Sequence, residues 1–314
     1  MTQRRLALLL AGPTASGKSA LALALARRFD GTVINADSMQ LYRELRLLTA
    51  RPTPEEEALA PHRLYGIRPA AEAASVAWWR EAALAEMEGA GLPILCGGTG
   101  LYFLSLTEGL SAIPPIPAEA RAEARALLAT LGAPGLHARL DPETAARLRS
   151  SDSQRIARAY EVLAGTGRGL AAWQREAPMT GPAPWRFAAI RLDPPREALR
   201  EAIAARFDAM LAGGAVEEVR ALLVQGLDPA LPAMRAHGVP ELAAMLRGET
   251  TPAAARERAI LNTGRYTKRQ ATWFRHHDLA APSETHIIHA RMTGWAQFQE
   301  SEMAEIFAFV ERCR

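Results

Sequence analysis

The sequence predicts an α/β fold, a parallel sheet flanked by helices that resembles P-loop NTPases, with a small all-helical insertion. Three observations carry this. Apolar runs recur that end in glycine, serine, aspartate or threonine. Helical patterns alternate with those runs, the order expected of a parallel sheet. A proline-bounded, arginine- and alanine-rich segment then interrupts the alternation.

Taken in order, LALLLA at 6–11 reads as a first buried strand, and 18–29 as a helix. GTVINADSM follows as a short β-branched run ending at Asp37 and Ser38. A helical pattern occupies about 75–89, and LPILCGGTGLY is a strand stopping at Gly97-Gly98. Loops at Gly12, Asp37 and Gly98 all fall at strand C-termini, where parallel sheets bind ligands. Prolines in IPPIPAEA (113–120) and APMTGPAPW (177–185) bracket the insertion, which is helical over 118–174 with breaks at 132–135 and 165–167. FAAIRLD resumes the sheet, and the pattern after 195 is helical nearly to the end. The expected organisation is 1–112 and 190–314 as the core, and 113–189 as the insertion.

Composition excludes several classes. With 314 residues, 49% of them apolar, the chain has ample material for a core. Cys96 and Cys313 stand in unrelated contexts, giving no disulfide framework and no zinc spacing. The apolar N-terminal stretch is too short for a signal peptide and no run could cross a bilayer, so a cytoplasmic protein with no membrane partner is expected. A net charge of +3 permits a nucleic-acid partner without requiring one. Of 37 basic residues only Lys18 and Lys268 are lysine, which marks two places where a compact ammonium is kept.

Lys18 belongs to the strongest motif. Gly12-x-x-x-x-Gly17-Lys18-Ser19, between a strand and a helix, is the spacing of a phosphate-binding loop. Lys18 neutralises phosphate oxygens in such loops, and Ser19 offers its hydroxyl to Mg²⁺. Asp37 and Thr99 sit at neighbouring strand ends; on spacing alone Asp37 reads as a helix cap or a magnesium-shell carboxylate ahead of a crevice residue, and Thr99 as a turn residue. Asp193, closing FAAIRLD, keeps a small-molecule kinase as an alternative. In RERAILNTGRYTKRQATWFRHH, helical spacing lines Arg265, Lys268, Arg269 and Thr272 along one side. That face is either solvated cations over an aromatic stripe or a phosphate-tracking surface, and spacing does not separate the two.

Together these residues resemble the tRNA dimethylallyltransferases. The matching stretches are GPTASGKS at 12–19, NADSMQLYR at 35–43, GGTGLY at 97–102, QRIARAYEVLAGTG at 154–167, RFDAMLAGGAVEEV at 206–219, AMRAHGVPEL at 233–242 and RYTKRQATWFR at 265–275. The resemblance, to the bacterial form without a zinc finger, implies dimethylallyl diphosphate as donor, Mg²⁺ as cofactor and the tRNA anticodon stem-loop as acceptor. It implies a diphosphate site of Gly12, Pro13, Thr14, Ala15, Ser16, Gly17, Lys18, Ser19 and Arg206, with Ser19 reaching the metal. Asp37 is the implied general base, and Thr99 steadies the leaving group. Implied tRNA contacts are Asp37, Ser38, Met39, Gln40, Arg121, Gln154, Arg155, Ile156, Ala157, Arg158, Arg235, Gly238, Arg265, Lys268 and Arg269. A monomer is expected; the alternative within the superfamily is an adenylate isopentenyltransferase acting on free AMP or ATP. Glu44 and Arg51 depart from the family's usual glycine and lysine, His237 from a frequent isoleucine, and Gly264 from a frequent arginine.

Overall fold

A computed structural model describes residues 4–176, 180–292 and 300–314. The chain forms two compact units, one of Met1–Thr107 with Pro182–Arg314 and one of Glu108–Gly181.

The first unit opens with β1 (Leu6–Ala11), α1 (Lys18–Phe29), β2 (Gly31–Asn35), α2 (Pro54–Leu59), a two-residue β3 (His62–Arg63), α3 (Val76–Gly89), β4 (Leu92–Gly97) and α4 (Gly100–Thr107). Within the second unit lie α5 (Ala118–His137), α6 (Pro142–Arg147), α7 (Ser153–Thr166) and α8 (Leu170–Glu176). The first unit resumes with β5 (Arg186–Leu192), α9 (Arg196–Ala212), α10 (Ala215–Val224), α11 (Val239–Leu246), α12 (Pro252–Arg275), β6 (Thr285–Ile288) and α13 (Glu300–Cys313).

Six strands pair in the order β3-β2-β4-β1-β5-β6, each neighbouring pair parallel. Strand periodicity explains the layers. Ala7, Leu9 and Ala11 of β1 face one core with Trp79, Phe103 and Phe274, while Leu8 and Leu10 face the other with Leu21, Leu25 and Phe309. A central parallel strand is covered on both sides, so β1 is apolar throughout. A third cluster joins Tyr42, Leu45 and Leu48 to Phe207, Val219, Leu222 and Val239, docking the loop after Asp37 on the helices that follow β5.

In the second unit, Leu136, Leu140, Ile156 and Ala159 form the core. α5 contains a break at Gly132, whose φ of 68° and ψ of 176° are outside the helical region, followed by Pro134. Chain entry and exit are paired: Leu110 N–H donates to the Thr180 hydroxyl and Thr180 N–H to the Leu110 carbonyl, both at 2.9 Å.

Two expectations need correction. The insertion is bounded at 108 and 181, not 113 and 189. Its proline-rich exit resembles a linker in composition, but Ala183 and Trp185 are buried in the main core and β5 already begins at Arg186; residues 177–179 of that stretch lie outside the described residues. The second is β6, a strand within the segment expected to be helical. At four residues, half-exposed and rich in polar side chains, it offers too little alternation to register.

Among the described residues no helix is long and apolar enough to cross a membrane.

Candidate active site

The loop from Gly12 to Ser19 joins β1 to α1. Ala15 and Gly17 take left-handed backbone with φ of 65° and 91°, curling the chain so that amides face inward at the helix start. Gly17 has no alternative, because a Cβ there would lie 1.8 Å from the Met292 carbonyl oxygen. Ala15 tolerates its strained φ while its methyl packs on Ala202 and Ile203 of α9. The Ser16 hydroxyl is buried and finds no partner among the described residues. An orphaned donor inside an amide-lined loop fits an anion. Lys18 Nζ reaches the Pro13 carbonyl at 3.3 Å, and burial pushes its pKa below the ordinary lysine value, opposed by Cys96 and Asp37. Burial likewise lowers Arg206, with Asp37 acting against it. Ser19 is exposed on the first turn of α1.

Asp37 lies just beyond β2. Its N–H donates to Asn35 Oδ1 at 2.7 Å, and its Oδ1 accepts from Met39 N–H at 3.0 Å. Asn35, fully buried, donates through Nδ2 to the carbonyls of Asp37 and Leu64. This local clamp turns the chain out of the strand and holds the carboxylate half-buried at the C-terminal end of β2. Thr99 comes to the same place from β4: its hydroxyl accepts from Ser38 N–H at 3.0 Å, and its own N–H donates to the Ala36 carbonyl at 3.1 Å. Gly97 allows that approach, since a Cβ there would lie 2.0 Å from the Ala36 oxygen. Three strand ends thus bring the phosphate loop, Asp37 and Thr99 together.

α12 adds the other wall. Gln270, 5% exposed, bonds to Thr14 and Gly98 at once. Arg265, Lys268, Arg269 and Thr272 are exposed along the opposite face. Tyr266 lies against the His237 ring at 4.7 Å, and burial, then Asp37, pushes its phenol up. Asp193 is held by Arg275 through a 2.7 Å ion pair, which lowers its pKa and occupies the carboxylate a kinase would need for magnesium. Among the described residues no group of three His, Cys, Asp or Glu could hold a metal. Such a site could hold a magnesium ion only if most of its oxygens came from phosphate and water, and Ser19 is the residue that could offer it a protein ligand.

The family model described as IPP transferase matches residues 40–277. The chain belongs to that family. A second model, isopentenyl transferase, matches 6–69. Among curated relatives, the tRNA dimethylallyltransferase of Gluconacetobacter diazotrophicus is 60% identical over 96% of this chain and 93% of its own. That of Granulibacter bethesdensis is 59% identical over 99% of both. The solved tRNA isopentenylpyrophosphate transferase of Bacillus halodurans is 30% identical with a TM-score of 0.68, covering 98% of this chain and 96% of that one. A eukaryotic dimethylallyltransferase acting on tRNA shares the fold, with a TM-score of 0.78 at 22% identity over 98% of this chain and 80% of that one.

Against the family expectation, several residues turn inward. Ile156 is fully buried in the core of the second unit, so its side chain is unavailable to RNA. Gly238 is buried at the start of α11 with φ of 95°, and its N–H donates to Glu241 at 3.1 Å; its place is conformational. Gln40 directs Nε2 to the carbonyls of Thr49 and Ala50, bracing the loop. Met39 packs on the third core cluster. Ala157 is half-buried, whereas Arg121, Gln154, Arg155, Arg158 and Arg235 are exposed. Arg51 donates to the carbonyls of Tyr42 and Arg43, and Glu44 accepts from Ala70 N–H, so both departures serve the loop itself. Sequence reasoning missed Gln270, Asn35 and Glu218; the last accepts from the successive N–H groups of Arg46, Leu47 and Leu48. Gln270 and Glu218 carry no local mark because their partners are distant in sequence, and Asn35, although it bonds Asp37 two residues on, has its other partner, Leu64, 29 positions away.

Proposed function

We propose that the chain transfers a dimethylallyl group from dimethylallyl diphosphate to N6 of the adenosine next to the anticodon, position 37 of tRNA, and releases diphosphate. One observation carries this reading: an amide-lined anion loop and a carboxylate lie at the ends of β1 and β2 on either side of β4, whose turn is joined to the Asp37 loop by the Ser38–Thr99 bond and to the anion loop through Gln270. A phosphate loop alone suits any nucleotide-binding enzyme; the carboxylate placed beside Lys18 and Arg206 supplies a base next to a leaving group.

The difficulty of the reaction is that the N6 lone pair is delocalised into the purine. Asp37 accepts an N6 proton as that nitrogen attacks the allylic C1, and the C1–O bond breaks with its electron pair remaining on diphosphate. Lys18, the loop amides, the Ser16 hydroxyl and Arg206 then stabilise the growing charge. Their burial makes each interaction stronger than it is in water. Magnesium, when bound through diphosphate and Ser19, supplies further Lewis-acid stabilisation. Thr99 acts through the loop, holding Ser38 and with it the direction of the Asp37 carboxylate.

The adenine has to leave its stack to reach this crevice. The exposed face of α12, with Arg265, Lys268 and Arg269, tracks the RNA backbone. In the second unit, Arg121, Gln154, Arg155 and Arg158 offer a comparable face. Arg155 pairs with Asp152 and Arg158 with Glu161 in exposed ion pairs, which are weak enough to be exchanged for phosphates.

The test is incubation with dimethylallyl diphosphate, magnesium and either an anticodon stem-loop or AMP, followed by mass spectrometry. Prenyl mass on the stem-loop adenosine is expected. Prenylated AMP with an unmodified stem-loop would reverse the reading.

A further inference from the structure

The segment following β6 crosses the phosphate loop. Arg291 Nε donates to the Ala15 carbonyl at 3.0 Å, and Met292 N–H donates to the Ser16 carbonyl at 2.9 Å. The Met292 carbonyl occupies the space a Cβ on Gly17 would need. Three consecutive loop residues thus rest against one strand of chain. Arg291 also lines a cavity of about 490 Å³ with Ala198, Glu201, Ala202, Ala205 and Arg206 of α9.

Two guanidinium groups therefore share a recess beside the anion loop. Ion pairs among the described residues include neither Arg206 nor Arg291. Glu201, the carboxylate lining the same cavity, is exposed. Like charges lining one recess repel, and Arg291 is one of the causes that lower Arg206. The arrangement is favourable when a polyanion lies between them.

We propose that Arg291 is a second guanidinium contact for the diphosphate, working beside Arg206. The inference rests on the diphosphate reading of the loop given above. The bond from Nε to Ala15 fixes the plane of the guanidinium, so the two Nη groups are oriented before the ligand arrives. The loop and its cation are thereby positioned by the same contact.

Two substitutions separate holding the loop from holding the ligand. Arg291→Gln places an amide nitrogen where Nε was and keeps the donor to Ala15, but removes the charge and both Nη groups. Arg291→Lys keeps a charge and removes the donor at that position. Inorganic pyrophosphate with magnesium is titrated calorimetrically into the full-length wild type, both variants and Arg291→Ala, with melting temperatures measured in parallel. Arg291→Gln should weaken pyrophosphate affinity roughly tenfold or more, much as Arg291→Ala does, and Arg291→Lys should retain more. The opposite order, with Arg291→Gln at wild-type affinity, would make the residue a brace for the loop and overturn the proposal, as would all variants staying within about twofold of wild type, a change below one lost phosphate contact. Failure of the wild type to bind pyrophosphate would overturn the diphosphate reading itself.

Discussion

Gln270 and Thr14 are joined by a double contact: Gln270 Oε1 accepts from the Thr14 N–H at 2.9 Å and from its hydroxyl at 3.0 Å. The same amide donates through Nε2 to the Gly98 carbonyl at 3.0 Å. One buried side chain of α12 thereby fixes the phosphate loop and the turn that carries Thr99. The exposed cations of that helix and the anion loop are consequently parts of one rigid assembly.

Gln270→Glu tests that linkage. A carboxylate can still accept from Thr14, but it loses the donor to Gly98 and sets its negative charge against that carbonyl and any bound diphosphate. Buried groups left without partners cost about 1–3 kcal/mol each, so kcat/KM for the donor should fall by at least roughly tenfold. Steady-state kinetics with the donor varied will show it, and tRNA affinity measured by filter binding should hold.

Asp37→Asn isolates the base. Asparagine Oδ1 can still accept from Met39 N–H, so the turn built on that 3.0 Å bond survives. Basicity is lost. Turnover should drop by about 10²–10⁴, the usual worth of a general base, while the dissociation constants of tRNA and pyrophosphate stay near wild type. Single-turnover prenylation of a stem-loop measures the first, and calorimetry the second.

Lys268→Ala with Arg269→Ala tests the exposed face of α12. Each phosphate contact contributes roughly 0.7–0.9 to the salt dependence of binding, so losing two should flatten the slope of log K against log salt by about 1.5. Pyrophosphate affinity should not change, since both residues are exposed and Gln270 is the α12 side chain bonded to the loop. An unaltered slope would mean that the face is merely solvated.

Much of this was legible in the chain itself, and the reason is locality. β1, α1, β2 and β4 follow from short-range periodicity, and the phosphate loop from glycine spacing, because each is determined by residues within a few positions. Arg265, Lys268 and Arg269 fall on an exposed face as helical spacing requires. What was hidden depends on contacts across long separations. Gln270 lies 256 positions from Thr14, and Arg291 lies 276 from Ala15, so neither carries a local sign of its role. Ile156 was misread for a related reason: a matched motif contains both its exposed and its buried positions, and only packing in the second unit distinguishes them.

Gly17→Ala should be among the most damaging single changes. A left-handed φ of 91° disfavours any Cβ, and the added carbon would lie 1.8 Å from the Met292 oxygen. Relief requires moving the segment after β6 away from the loop, which breaks the Met292–Ser16 bond. The expected loss is at least about 2–3 kcal/mol, seen as a shifted urea midpoint, together with lost pyrophosphate binding.

His237 gives the chain a pH dependence with a definite sign. Burial lowers its pKa from the ordinary 6.5, outweighing Glu241 and Asp37, which raise it, while Arg269 adds to the lowering. The folded state therefore prefers the neutral ring, packed against Tyr266. Between the folded value and 6.5 the unfolded chain binds more protons at this site. Its contribution to stability is complete above about 6.5, declines as the pH falls below that value, and levels off once the folded pKa is passed. His237→Phe keeps a ring against Tyr266 without a titrating group. Melting temperatures followed from pH 7.5 to 5 should fall more steeply for the wild type than for the variant, and parallel curves would show that the imidazole does not titrate against folding.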